Sequence, residues 1–313
     1  MSDNKEFKVI IVGSGPAGYT AGLYLSRANI PNLLFQGEQP GGPLTITTEV
    51  ENYPGFPEGI DGPPMMEKFK AQCERFGTVV KSETVTSVDM GSHPFKVTTN
   101  AGEYTVPAVI IASGSSARWL GLPGEEEFFG KGLSACATCD GFFFRDQDVA
   151  VVGGGDTARE EATFLTNFAS KVTLIHRRDE LRGSKIMQDR ALNNPKIEMA
   201  WNSTIDSYVA DENGSLVALK LKDTQDGSVR DLAVTGCFIA IGHTPNTEFL
   251  AGQLDMDENN YLITKADRTA TNVEGVFACG DVQDHYYRQA VTSAGTGCMA
   301  AIEAERWLGE KGL

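Results

Sequence analysis

The sequence is poor in several features that would assign it to a class at once. No apolar run is long: Val109–Ala112 and Val149–Val152 are strand-length, far below the ~20 consecutive apolar residues of a membrane-spanning helix. Basic residues are scarce, with 27 Lys and Arg against 42 Asp and Glu and a formal charge of −15. That balance excludes the basic stripe on which nucleic-acid binding depends. It also favours solubility and asks for positive charge on a partner docking nearby. Cysteine is sparse too. Of the six, at 73, 136, 139, 237, 279 and 298, only Cys136 and Cys139 are neighbours, so a disulfide-stapled secreted scaffold is excluded. Met1–Glu6 lacks the basic-then-apolar order of a secretory signal, and the expected location is cytoplasmic.

Glycine, by contrast, is plentiful. The 34 glycines follow no period, and several cluster in short loops behind apolar runs, where they suggest contacts with a nucleotide. A chain of 313 residues exceeds what one hydrophobic core usually organises, so two domains are expected.

Two strand–glycine–helix units carry that organisation. Lys8–Val12 leads into Gly13-Ser14-Gly15-Pro16-Ala17-Gly18 and a helical pattern to about Ala28. Val149–Val152 leads into Gly153-Gly154-Gly155-Asp156-Thr157-Ala158 and a helix to about Asn167. Each unit opens with a near-continuous apolar run, the mark of a parallel strand buried on both faces. A second strand follows each helix, at Asn32–Phe35 and Lys171–Ile175. The expected fold class is α/β, with two Rossmann-like dinucleotide-binding domains, the second inserted into the first. A further strand ends at Gly280-Asp281, and a helix rich in small residues follows from Ala290 to Leu308. Turn-rich segments at 113–124 and 242–247 bracket the second unit. The first domain is thus expected at 1–117 and 247–313, and the second at 118–246. Segment 50–64, rich in Pro and Gly, is expected to form a functional loop.

The glycines of Gly13-x-Gly15-x-x-Gly18 serve in turn to make a tight turn, to admit a pyrophosphate to the backbone, and to let helix and strand pack closely. The helix N-terminus adds unpaired N–H groups and a positive dipole end. The acid expected about 20 residues on is imperfectly placed, with Gln36 and Glu38 as the candidates. In the second unit, Gly153-x-Gly155-x-x-Ala158 is followed by His176-Arg177-Arg178 and Arg182, with no acid before the basic trio. NAD sites place a carboxylate there, whereas NADP sites set arginine against the 2′-phosphate. The expected nicotinamide is NADPH.

Cys136-Ala137-Thr138-Cys139-Asp140 is the chemical centre. Two thiols two residues apart can close a small disulfide ring and lower a thiol pKa towards neutrality. Asp140 is the candidate acid–base group, although a helix cap or turn carboxylate is the plainer reading. A zinc site would need two more Cys or His ligands, and the other cysteines are scattered singly, so no metal is expected. Cys73, Cys237, Cys279 and Cys298 are expected to be buried, inert thiols. Phe142-Phe143-Phe144 reads either as a buried strand start or as an apolar landing place for a protein substrate.

With these residues in place, the chain resembles the low-molecular-weight thioredoxin reductases. The resemblance runs through GSGPAGYTA at 13–21, TEVENYPGF at 48–56, SACATCDGFF at 134–143, VAVVGGGDTA at 149–158 and LIHRRDELR at 174–182. It extends through the C-terminal stretch from Gly275 to Ala301. The dithiol between the two nucleotide motifs is the most specific element. The resemblance implies FAD in the first domain, held by Gly13, Ser14, Gly15, Pro16, Ala17, Gly18, Gln36, Gly37, Glu38, Gly41, Gly42, Pro43, Asn52, Gly280, Asp281, Arg288, Gln289 and Ala290. It implies NADPH in the second, on Gly153, Gly155, Asp156, Thr157, His176, Arg177, Arg178 and Arg182. A homodimer is implied as well. One departure is Gly41-Gly42-Pro43, where the family commonly has Gly-Gly-Gln; proline removes a backbone donor and fixes φ.

The implied activity is thioredoxin-disulfide reduction, a relay from NADPH through FAD and the Cys136–Cys139 disulfide to thioredoxin, which sits at roughly −270 mV. The dithiol and the NADPH motif share one domain, so the relay implies rotation of that domain about pivots near 117–122 and 242–247. Flavoprotein partners of peroxidases usually carry an extra N-terminal dithiol domain, whereas here the first glycine motif opens at residue 13. Ferredoxin–NADP reductases lack the dithiol, and ferredoxin-fed thioredoxin reductases need no basic trio. A non-enzymatic redox-sensing or metal-binding dithiol module is the alternative from another class.

Overall fold

The computed structural model describes residues 6–46, 49–181 and 185–313. The chain divides into two compact units, one running to Ser116 and resuming at Thr244, the other Ala117–His243. Among the described residues no helix is long and apolar enough to cross a membrane.

In the first unit a five-stranded parallel sheet runs in the order Val276–Ala278, Ala108–Ile111, Val9–Val12, Asn32–Phe35, Val79–Lys81. Val9–Val12 is central, in register with Ala108–Ile111 on one side and Asn32–Phe35 on the other. Alternate side chains on a strand point to opposite faces, and the packing follows that rule. Val9, Ile11, Leu34 and Ile110 meet residues of helices Pro16–Arg27, Gly62–Phe76 and Ala290–Lys311, among them Ala17, Cys73 and Ala304. Ile10, Val12, Leu33 and Ile111 meet Val88, Val97 and Val106 from the antiparallel strands Val85–Asp89, Phe95–Thr99 and Glu103–Val106.

The second unit repeats the plan. Its parallel sheet runs Leu133–Ser134, Gly236–Ile239, Asp148–Val152, Lys171–Ile175, Ile197–Ala200. Val149, Val151 and Leu174 pack with Ala158, Ala162 and Leu165 of helix Asp156–Leu165. Ala150, Val152 and Ile239 pack with Ile205, Leu219 and Leu221 of a second three-stranded antiparallel sheet. A strand buried on both faces must be apolar throughout, which is why both central strands read as unbroken apolar runs.

Local structure differs from expectation in two places. Segment 50–64 is not one loop, because Glu49–Val50 pairs with Ile60–Asp61 and a helix begins at Gly62. Gly141–Phe144 is a turn of 3-10 helix rather than a strand start. The stretch 117–122, expected near a pivot, is anchored from Trp119 onward. The Trp119 ring lies 4.3 Å from that of Phe129. The buried Glu125 carboxylate accepts hydrogen bonds from the amides of Leu120 (3.2 Å) and Gly121 (2.8 Å) and from the Tyr208 hydroxyl (2.6 Å). From Trp119 onward this segment belongs to the core of the second unit.

Burial, and after it the hydrogen bond to Glu125, push the Tyr208 phenol up, so that it stays a donor. Removing the carboxylate would leave three donors without a partner, each worth ~1–3 kcal/mol when buried. Glu125→Ala is expected to destabilise the second unit by about 3 kcal/mol, with faster hydrogen exchange at the Leu120 and Gly121 amides than at the strands of the first unit.

Candidate active site

The first glycine loop closes the C-terminal end of the central strand. Gly13 has φ +112°, and a Cβ there would lie 2.2 Å from the Ala112 carbonyl oxygen. A Cβ on Gly18 would lie 2.0 Å from the Gly13 carbonyl oxygen. Gly15 faces open space, with nothing within 4 Å of a Cβ, and caps a helix whose first residue is Pro16. No side chain caps that N-terminus, so its amides are available to an anion.

Ser14 and Gln36 use their side chains to hold neighbouring segments around this loop. The Ser14 hydroxyl donates to the Gln36 carbonyl (2.9 Å) and accepts the Gly41 amide (3.0 Å). Gln36 donates to the Tyr19 hydroxyl (2.8 Å) and accepts from the Ser82 hydroxyl (2.9 Å). Glu38 is exposed beyond Gly37, while Gly41 and Gly42 take φ of +91° and +70°. Pro43 enters a 3-10 turn, Gly42–Ile46. The Gly42 carbonyl of that turn accepts from the side chains of Gln39 (3.2 Å) and Thr45 (2.8 Å).

The C-terminal stretch reaches the same place. A Cβ on Gly280 would sit 2.9 Å from the Ala17 Cβ, and one on Gly297 would sit 2.2 Å from the Ala17 carbonyl oxygen. Helices Pro16–Arg27 and Ala290–Lys311 therefore meet backbone to backbone. Gln289 caps the second of them in a reciprocal capping box with Thr292 and accepts from the Asn52 amide at 3.4 Å. Arg288 has φ +47° and donates to the His285 carbonyl. Asp281 is half-buried and accepts the Ser293 hydroxyl at 2.7 Å. Burial raises its carboxyl to about 6, with Ser293 opposing. An anion-ready helix end, an open glycine cradle and a half-buried carboxylate at the ends of parallel strands fit a dinucleotide.

The second loop repeats the geometry with other contacts. A Cβ on Gly153 would lie 2.5 Å from the Ala240 carbonyl oxygen and 2.6 Å from the Ala158 Cβ, while Gly155 again faces open space. A Cβ on Gly154 would fall 2.1 Å from the His176 ring, so the imidazole packs directly on the loop. His176 is buried, its Nε2 has no partner among the described residues, and burial lowers its pKa, leaving it neutral. Arg177 and Arg178 are exposed and form no ion pair among the described residues; Arg182 lies outside the described residues. Asp156 pairs with Arg159, whose side chain is fully buried and reaches the Gly154 carbonyl at 3.5 Å. Thr157 follows Asp156 in the first helical turn. Sequence reasoning missed Arg159, because an arginine inside a charged helix reads as a solvated side chain.

Cys136 and Cys139 form a disulfide. Cys139 lies in the short helix Ala137–Asp140, and the amides of Cys139 (3.2 Å) and Asp140 (3.1 Å) both donate to the Cys136 carbonyl. The Asp140 carboxylate is half-buried. It accepts the Ser134 hydroxyl at 2.5 Å, and that hydroxyl in turn accepts the Cys136 amide at 3.0 Å. Burial raises the Asp140 pKa and the Ser134 hydrogen bond opposes the rise. Ser134 was also missed by sequence reasoning. Phe142, half exposed, meets Phe168 edge to face, with the Arg145 guanidinium 5.2 Å over its ring.

Cys73, Cys237 and Cys279 are buried, and burial pushes their thiols up, that of Cys73 to about 11 and that of Cys279 to about 12. Cys298, expected to be buried, is instead partly exposed on helix Ala290–Lys311. Among the described residues no group of three or more His, Cys, Asp or Glu is placed to hold a metal ion.

Comparison with known proteins agrees with this geometry. A family model described as pyridine nucleotide-disulphide oxidoreductase matches residues 7–297. A thioredoxin reductase of Rickettsia felis is 53% identical over 303 residues, covering 96% of this chain and 98% of the relative. That of Vibrio cholerae is 53% identical over 319 residues, covering 100% of both. The solved thioredoxin reductase of Giardia duodenalis superposes with a TM-score of 0.93 at 42% identity, over 98% of this chain and 100% of that one.

The Asp281 value fixes the sign of a pH effect. Its folded-state carboxyl, at about 6, lies above the unfolded value near ~4, so folding takes up a proton between the two. The stabilisation is full below ~pH 4 and is lost as pH rises through about 6. Flavin-free wild type is expected to lose thermal stability from about pH 5 to about pH 7 relative to Asp281→Asn, read as the difference between their melting temperatures.

Proposed function

The chain belongs to the pyridine nucleotide-disulphide oxidoreductase family, and from that premise we propose that it is a thioredoxin-disulfide reductase driven by NADPH through FAD. One observation carries the reading. A Cys136–Cys139 disulfide, bridged through Ser134 to a half-buried carboxylate, stands in the same unit as the second nucleotide loop. A bound flavin supplies two-electron transfer from the nicotinamide to a disulfide.

The chain's own residues do the rest. The Gly13–Gly18 loop and the free amides of helix Pro16–Arg27 would hold the FAD pyrophosphate, with Asp281, Asn52 and Gln289 as polar contacts beyond it. The Gly153–Gly155 loop would hold NADPH, and His176, neutral and packed on Gly154, fixes the shape of that loop. Arg177 and Arg178, exposed in an acidic chain, suit a 2′-phosphate, which favours NADPH over NADH and over a ferredoxin-fed route.

Once the disulfide is opened, one sulfur of the pair attacks the partner's disulfide. A mixed disulfide forms and the partner's other sulfur departs. The second cysteine then attacks the mixed disulfide, which closes Cys136–Cys139 and frees the second partner sulfur. Two electrons and two protons pass to the partner, and Asp140 takes and returns a proton as the sulfurs exchange. Phe142, half exposed, is an aromatic anchor for that partner. A cytoplasmic homodimer belongs to the same reading. Tyr24 and Val291, exposed apolar side chains lining one concavity with Tyr53 and Phe56, offer a surface for the second copy.

Two measurements test this reading. In Cys139→Ser, NADPH oxidation with an artificial electron acceptor is expected to persist while thioredoxin reduction disappears; thioredoxin reduction that survives would overturn the relay. Replacing Arg177 and Arg178 by Ala is expected to raise KM for NADPH at least about tenfold, since a hydrogen bond to a charged group is worth ~1.5–3 kcal/mol. KM for NADH should stay unchanged, and an equal rise for both nucleotides would defeat the assignment.

A further inference from the structure

We infer that Ser134 is a positioning residue for the dithiol chemistry, its hydroxyl tying the Asp140 carboxylate to the backbone of Cys136 so that acid–base group and sulfur pair are held together. The inference rests on the dithiol being the working centre, and it concerns a residue that acts through Asp140.

Ser134 ends the edge strand Leu133–Ser134, where it pairs in parallel with Phe238 of Gly236–Ile239. That pairing sets the hydroxyl at the C-terminal rim of the sheet, 8% exposed. A serine hydroxyl has one proton to give and lone pairs to accept with. The proton goes to Asp140 Oδ2 at 2.5 Å, and a lone pair takes the Cys136 amide at 3.0 Å. The competing acceptor, the Cys136 carbonyl, is 3.4 Å away, too far to win the proton. Meanwhile the amide of Asp140 donates to that same carbonyl at 3.1 Å. Both backbone polar groups of Cys136 are therefore tied to Asp140, one directly and one through Ser134.

Charge enters in a simple way. The adjoining helix Asp156–Leu165 carries Asp156, Arg159, Glu160 and Glu161, and Arg145 stands over Phe142. At Asp140 burial raises the carboxyl pKa and the Ser134 hydroxyl lowers it. Gly141, next in the chain, meets apolar atoms of Phe164, Leu165 and Phe168. Ser134 is thus the group that favours the ionised carboxylate against its surroundings. In the exchange, the thiol proton of the attacking cysteine passes to Asp140, the partner's S–S bond breaks, and the carboxyl returns that proton to the departing partner sulfur. A carboxylate held by Ser134 releases the proton more readily than one left to burial alone.

The test is the pH profile of thioredoxin reduction. Whichever protonation state of Asp140 the step consumes, losing the Ser134 donor raises its proton affinity, so the limb due to Asp140 moves to higher pH. Ser134→Ala is expected to move that limb upward by on the order of one unit and to lower kcat. Ser134→Thr, which keeps the hydroxyl, should leave the limb in place. In an Asp140→Asn background Ser134→Ala should add no further shift. Should the alanine variant not fold, Ser134→Cys, a weaker donor of similar size, serves in its stead. A limb unmoved in Ser134→Ala, or one that moves equally in the Asp140→Asn background, would overturn the role of Ser134. A wild type that fails to reduce thioredoxin at any pH would instead overturn the functional reading.

Discussion

A parallel strand buried on both faces can turn only across the end of its own sheet, and the rest of this structure depends on how that turn is made without a Cβ. The first unit divides the requirement between two glycines, Gly13 under Ala112 and Gly18 against the Gly13 carbonyl, both at distances no side chain allows. The second unit concentrates it in Gly153, whose absent Cβ leaves room for Ala158. That is the physical reason the third position is alanine in one loop and glycine in the other. Gly297 extends the constraint in the first unit by letting helix Ala290–Lys311 rest on the Ala17 carbonyl. Two helix N-termini are thereby left without side-chain caps behind glycines that face open space, a geometry suited to an anion.

A second regularity concerns buried and half-buried carboxylates in an acidic chain. Glu125, Asp140 and Asp281 each receive a hydroxyl proton, from Tyr208 at 2.6 Å, Ser134 at 2.5 Å and Ser293 at 2.7 Å. None of the three forms a salt bridge among the described residues. A cation would pin a carboxylate in its charged form, whereas at Asp140 and Asp281 a hydroxyl satisfies it while burial still raises its pKa. At Glu125 the arrangement fastens a connecting segment. At Asp140 and Asp281 it opposes a rise in pKa that burial causes.

Much of this was legible in the sequence, for reasons that also mark the limit of such reading. Strand-to-helix turns with glycine at fixed offsets are local, so both loops and the strands before and after them could be placed from the residue pattern. The dithiol was legible because its chemistry needs two sulfurs at one spacing. Ser134 was not, since its tie to Asp140 arises only once an edge strand sets the rim of a sheet. Arg159 looked like any charged helical residue, and only the loop above it makes it a buried prop. Ser14 and Gln36 were expected at the cofactor by resemblance; the structure shows their side chains engaged with neighbouring segments. The three phenylalanines after Asp140 fell into a 3-10 turn because Gly141 packs against Leu165 and Phe164, a contact with no local signature.

Pro43 departs from the Gly-Gly-Gln pattern without breaking the turn that holds it. Proline removes an amide donor and fixes φ near a helical value, and a 3-10 turn beginning at Gly42 accepts that φ. The Gly42 carbonyl takes its hydrogen bonds from the side chains of Gln39 and Thr45, so those bonds do not draw on an N–H at position 43. The backbone strain of the segment is carried by Gly41 and Gly42, both at positive φ, where only glycine sits without penalty. What the substitution removes, relative to the glutamine common in the family, is a side-chain amide next to the segment that Ser14 ties to the glycine loop through the Gly41 amide.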